Sequence, residues 1–138
     1  MEERQHSRIT DHVIFCYYNV YNKLGYGFLE KVYEKALLIE LKGRDVLAVP
    51  QHPIIVHYEG HIIGEYFSDL LVENKVIVEI KAIRNFLPEH DAQLLNYLKA
   101  TDIEVGLLLN FGPKPEVRRK AFSNTRKANR TLINAEKA

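Results

Sequence analysis

The chain has 138 residues, 46% hydrophobic and 27% charged, which fits one domain with an ordinary core. A single Cys excludes a disulfide framework or a cysteine zinc cluster and suits a reducing cytoplasm, and no apolar run reaches the ~20 residues of a membrane helix. The net charge of +1 hides an asymmetry, because residues 1–111 sum to −5 and residues 112–138 to +6.

The polar start, MEERQHSRITDH, does not read as a signal peptide. Val13, Cys16, Tyr17, Val20, Tyr21 and Leu24 then recur at steps of three and four, the pattern of an amphipathic helix. Thr10 or Asp11 can cap it and Gly25 can end it, with Cys16 a buried thiol on the apolar stripe. A second helix is expected from Leu29, Val32, Tyr33, Ala36, Leu37 and Leu41, closing at Gly43. Glu30 lies in its first turn, where a carboxylate suits the helix dipole.

Short β-type runs follow. Residues 46–49 stop at Pro50, and residues 54–58 follow Pro53. Glu59-Gly60 is a tight-turn candidate, residues 61–72 run out from it, and residues 76–82 (VIVEIKA) follow a turn around Asn74. Together they read as an antiparallel meander. Pro88 opens a third helix, PEHDAQLLNYLKATD. Residues 103–111 are nearly continuously apolar, as in a strand buried on both faces. Gly112-Pro113 breaks that run, and residues 116–122 fit a last strand. The order ααββββαββ gives an α/β fold with a mixed central sheet flanked by helices. Residues 1–122 are expected as one domain and residues 123–138 as a basic tail or frayed helix.

Three polar features resist explanation as packing. Glu79 and Lys81 share one face of the VIVEIKA strand, with Val78, Ile80 and Ala82 on the other. A charge in an apolar strand is costly unless satisfied, although a solvated face with a cross-strand ion pair would also serve. Asp69 lies ten residues before Glu79. An odd loop of Glu73-Asn74-Lys75 pairs Val72 with Val76 and sets Asp69 opposite Glu79. Two carboxylates at that range repel, which a divalent cation resolves. Gln93 and Tyr97, four apart, share one helix face that His90 extends.

The combination of Glu30, Asp69, Glu79-x-Lys81 and Gln93-x-x-x-Tyr97 resembles the PD-(D/E)XK nuclease superfamily. Within it, Gly27, Glu30 and Tyr33 match the name motif of the GxxExxY family. The stretches GFLEKVYEKAL and HDAQLLNYLKAT are also similar, and Ser68 stands where the superfamily name has Pro. The resemblance spans about residues 9–122. It implies a nuclease-like core and Mg²⁺- or Mn²⁺-dependent cutting of phosphodiester bonds in DNA or RNA. It makes Asp69, Glu79 and the main-chain carbonyl of Ile80 metal ligands. Lys81 becomes the water-activating or charge-stabilising group and Glu30 an extra acid. Gln93 and Tyr97 become supporting or phosphate-contacting groups. Small members often dimerise, so a homodimer is an expectation; a membrane partner is not.

Two other readings compete with the nuclease. One is a non-catalytic nucleic-acid binder or repair accessory protein. The other is a protein-interaction module whose acidic cluster is structural. Lys114, Arg118, Arg119, Lys120, Arg126, Lys127 and Arg130 are either phosphate contacts or solvated charges. His52, His57 and His61 carry no metal-site signal, since a strict turn pairs His57 with Ile62.

Overall fold

A computed structural model describes residues 4–127. Its strands are β1 (Ala48–Tyr58), β2 (His61–Val72), β3 (Val76–Lys81), β4 (Val105–Asn110) and β5 (Glu116–Ala121), side by side in that order. The sheet is mixed. β1–β2, β2–β3 and β4–β5 are antiparallel, and β3–β4 is parallel. A parallel pair needs a crossover, and helix α3 (Pro88–Ala100) provides it.

Helices α1 (Ser7–Leu24) and α2 (Glu30–Gly43) cover one face of the sheet. There Val13, Tyr17, Leu37 and Leu41 pack against Val76, Val78, Ile80, Leu107 and Leu109. On the other face Leu94 and Leu98 of α3 pack against Ile54, Leu71, Ile77 and Leu108. β4 is therefore buried on both sides, as its apolar run requires. Cys16 is buried, and Gly25 closes α1 through its N–H to Tyr21 O.

Several expectations are corrected. α1 begins at Ser7, so Thr10 lies inside it and its hydroxyl donates to Ser7 O. His6, in a left-handed conformation, precedes the helix without a side-chain cap. The runs 46–49 and 54–58 merge into one strand that starts at Ala48. Proline is tolerated there because β1 is a sheet edge, and irregular Gln51 (φ 54) lies between Pro50 and Pro53. Leu29 is 77% exposed and Val32 is exposed, so neither joins the core. The buried side of α2 is instead Tyr33, Glu34, Leu37 and Leu41. A 3₁₀ turn, Asn124–Lys127, follows β5, and the rest of the expected basic tail lies outside the described residues.

One stability prediction arises here. Asn110 Oδ1 accepts from the N–H of Ile83 and of Gly112, and its Nδ2 donates to Ile83 O. This clamp ties the exit of β3 to the exit of β4. A Cβ on Gly112 would sit 1.8 Å from Ile83 O, which is backbone and cannot swing away. Gly112→Ala is therefore expected to cost roughly 2 kcal/mol or more, the range of overpacking at an unyielding contact. A melt of the variant at or above wild type would refute the clamp's rigidity.

Candidate active site

The β2–β3 ladder runs Val72↔Val76, Leu71↔Ile77, Leu70↔Val78, the register an odd three-residue loop dictates. It stops one pair before Asp69 and Glu79. There side chains take over from the backbone. The Asp69 N–H donates to Glu79 Oε2 at 2.8 Å, and the Ile80 N–H donates to Asp69 Oδ2 at 2.7 Å. The strands part at this interlock. The β1–β2 ladder also lapses here, because Pro50↔Leu70 and His52↔Ser68 are paired but Gln51 and Asp69 between them are not.

Alternation breaks at the same level. Ala48 packs toward α1 and α2, yet Ile54, six residues on, packs toward α3. In β2, Leu70 faces α1 and α2 while Tyr66 meets Tyr97 of α3. Both strands change faces around Gln51 and Asp69, which sets Asp69 at the twist. β3 stays regular. Glu79 shares the Ile77 face, toward α3, and Val78, Ile80 and Ala82 lie on the opposite face, as expected.

Glu79 is only 4% exposed. Its pKa is pushed up to about 8, first by burial and then by the Asp69 charge. Lys81 is half-buried and forms no ion pair among the described residues, though its charge draws Glu79 part of the way back down. A strand residue points its N–H and C=O to the same neighbour. The Ile80 carbonyl therefore faces the gap that its N–H spans to reach Asp69.

The remaining site residues divide. Tyr97 is 7% exposed, and its phenol is pushed up to about 12 by burial, then by Glu79 and Asp69. Gln93 is exposed on the same helix face. His90 is spent on the helix start, its Nδ1 accepting the Leu87 N–H. Glu30 is exposed in the first turn of α2, and no three His, Cys, Asp or Glu side chains converge among the described residues. One turn on, Glu34 is 4% exposed, paired with Lys31 at 2.7 Å and accepting from Gln51 Nε2. Asp69 in turn raises the Lys31 pKa, behind the larger effect of Glu34. Glu34 was missed in the sequence. The signal was there, since it stands three and seven residues before Leu37 and Leu41 on the buried stripe.

The Gly27, Glu30, Tyr33 spacing has a structural basis. Gly27 has φ 116, which other residues rarely adopt. The Tyr33 hydroxyl donates to Gly25 O and accepts from the Phe28 N–H, while its ring stacks on Phe111 at 4.3 Å. Tyr33 thus pins the loop leading into α2.

The sequence model of the PD-(D/E)XK nuclease superfamily matches residues 7–120. The chain belongs to the PD-(D/E)XK nuclease superfamily. The crystal structure of SSO0001 is similar, with a TM-score of 0.55 and 20% identity over 78% of this chain. That match spans 57% of SSO0001, and at this identity it speaks for the fold alone. No curated protein matches significantly.

PD-(D/E)XK nucleases generally use divalent metal ions. The residues here fit one. The donors are oxygens, as a hard cation prefers, and one carboxyl is buried against the charge of another, which raises its pKa and which a cation would relieve. The basic residues of β5 and beyond are mostly committed elsewhere. Arg118 and Lys120 pair with Asp91 at 2.6 and 3.1 Å, holding the start of α3. Arg119 bonds Gln5 O, and Lys127 Nζ donates to Thr101 O and Ile103 O. Arg130 lies outside the described residues. At the hairpin tip His57 pairs with Ile62, as the tight turn requires. No described helix is long and apolar enough to cross a membrane.

Proposed function

We propose that this PD-(D/E)XK protein is a divalent-metal-dependent nuclease of the GxxExxY group that hydrolyses phosphodiester bonds of DNA or RNA. The observation that carries this reading is the interlocked, partly buried Asp69–Glu79 pair at the parting of β2 and β3. A bound Mg²⁺ or Mn²⁺ supplies a Lewis acid for the scissile phosphate and a lowered pKa for the attacking water.

Asp69, Glu79 and the Ile80 carbonyl hold the ion in this reading. Lys81 orients or deprotonates the water, or stabilises charge on the phosphate. Tyr97 and Gln93 line the approach from α3. Glu34, rather than Glu30, is the helix acid of the site and acts through Lys31 and Gln51 as a positioning residue. Binding is mostly to the nucleic-acid backbone and weakens with salt. The lone buried Cys16 suits a cytoplasmic place of action.

The test is a cleavage assay on single- and double-stranded DNA and RNA with Mg²⁺, Mn²⁺ or EDTA. Cleavage with metal and none in EDTA is expected. A salt-sensitive gel shift without cleavage of any substrate would select the accessory binder instead. Light scattering decides the expected homodimer, by a mass twice the 16.0 kDa chain.

A further inference from the structure

A cavity of about 680 Å³ opens between the β1–β2 hairpin and α3. Val56, His57 and Tyr66 form its hairpin wall, and Gln93, Asn96 and Tyr97 its helix wall. It adjoins the acid pair. Tyr97 belongs to the cluster that contains Ile77, and Glu79 is two residues further along that same face of β3. The cavity volume lies within the range of small-molecule sites and holds a nucleobase with room to spare.

The lining is suited to a flat, uncharged, hydrogen-bonding group. Tyr66 is 49% exposed, with its ring 5.9 Å from the Tyr97 ring at 41°, so much of its surface is open to a stacking partner. Gln93 and Asn96 are exposed one turn apart and present carboxamides, which both donate and accept. Glu89 and Lys99, opposite in charge, lie toward the two ends of the helix wall. Such a cavity is a poor phosphate site, since the charge of Lys99 is balanced by that of Glu89 and the rest of the helix wall presents carboxamides and a ring.

We infer that this cavity takes up one unpaired nucleobase of the strand being cut, stacked on Tyr66 and hydrogen-bonded by Gln93 and Asn96. The proposal rests on the nuclease reading and names its substrate class. A base inside a duplex cannot reach the cavity without being turned out, so single-stranded, frayed or bulged nucleic acid is preferred. Stacking a base on an aromatic side chain tolerates any sequence, so the preference is for strandedness over base identity.

The experiment reads binding in EDTA, so that it does not depend on cleavage. A single-stranded DNA oligonucleotide with one 2-aminopurine is titrated with wild type, Tyr66→Ala and Tyr66→Phe. A second oligonucleotide has an abasic site in its place. Wild type is expected to quench the 2-aminopurine and to bind the abasic strand more weakly. Tyr66→Ala is expected to lose about 5- to 100-fold in affinity for the first strand. Tyr66→Phe, which keeps the ring, is expected to bind like wild type. Tyr66 is half-exposed, so the alanine variant should fold, and its melt checks this. Equal binding of both strands by wild type, or unchanged binding by Tyr66→Ala, overturns the base site even if metal-dependent cleavage is found. Base-dependent binding lost in Tyr66→Ala, with no cleavage of any substrate, keeps the base site and rejects the nuclease.

Discussion

Lys81→Ala is expected to abolish metal-dependent cleavage while leaving nucleic-acid binding almost unchanged. Lys81 follows the acid pair on the same face of β3 and has no ion-pair partner among the described residues. Its ammonium is thus available to a water or phosphate at the gap. General acid–base groups contribute about 10²–10⁴-fold, and a rate loss of that order is the expected result. Binding is distributed over many charges, and Lys81 is one of 19 Lys and Arg. Stability should hold or rise slightly, because the variant removes a half-buried charge that no carboxylate pairs. Single-turnover cleavage, a gel shift and a thermal melt separate these effects. A variant that melts several degrees lower, in a protein that cuts nothing, would make Lys81 a structural partner of Glu79.

Glu79→Gln is expected to do two opposite things, remove activity and raise the melting temperature of metal-free protein at pH 8. The stability half follows from proton linkage. Below about pH 4.5 the carboxyl is protonated in the folded and unfolded chains alike. Between about 4.5 and 8 the unfolded chain gives up its proton while the folded chain keeps it. The folded state binds more protons there, so stability falls as pH rises, by at most ~1.4 kcal/mol per unit from this group. Above about pH 8 the full penalty of a buried charge beside Asp69 is in place.

A glutamine escapes that penalty. Its Oε1 can still accept the Asp69 N–H, and its amide can donate toward the Asp69 carboxylate. In EDTA the variant should therefore melt above wild type at pH 8 and near it at pH 5. Added Mn²⁺ should stabilise wild type by ligand linkage and the variant less, since one anionic donor is gone. A variant that melts lower than wild type at pH 8, or wild type indifferent to Mn²⁺, would show that the pair is no ion site. If both results are found, function and stability conflict at this position, as they commonly do where a site concentrates like charges.

Much of this was legible in the sequence because parity is a strong constraint. An odd loop between two strands fixes which residues oppose, and that alone brought Asp69 to Glu79. The apolar run of β4 announced a strand with helices on both faces. Parity also has a limit. It holds only while a strand is regular, and the change of faces at Gln51 and Asp69 has no sequence signature beyond two polar residues, Gln51 and His52, between two prolines. The prolines made β1 look like two strands, because their cost depends on an edge position set by the rest of the sheet. On α2 the motif drew attention to Glu30, which faces water. Glu34 was overlooked because a buried glutamate is rare, and only its contacts with Lys31 and Gln51 make it affordable.

The hydrogen bonds that tie Asp69 to Glu79 and to Ile80 give the protein its own spectroscopic reporters. Two main-chain amide protons, those of Asp69 and Ile80, point directly at the two carboxylates. Such a bond shortens and polarises the amide more when its acceptor carries charge, so the amide shift follows the charge on the acceptor. A ¹⁵N-labelled sample then reports protonation of Glu79 during a pH titration. It reports recruitment of the same oxygens by a cation as a second, distinct displacement of the same two peaks. No substrate is required, and a chain that had lost the chemistry but kept the fold would still display the first response without the second.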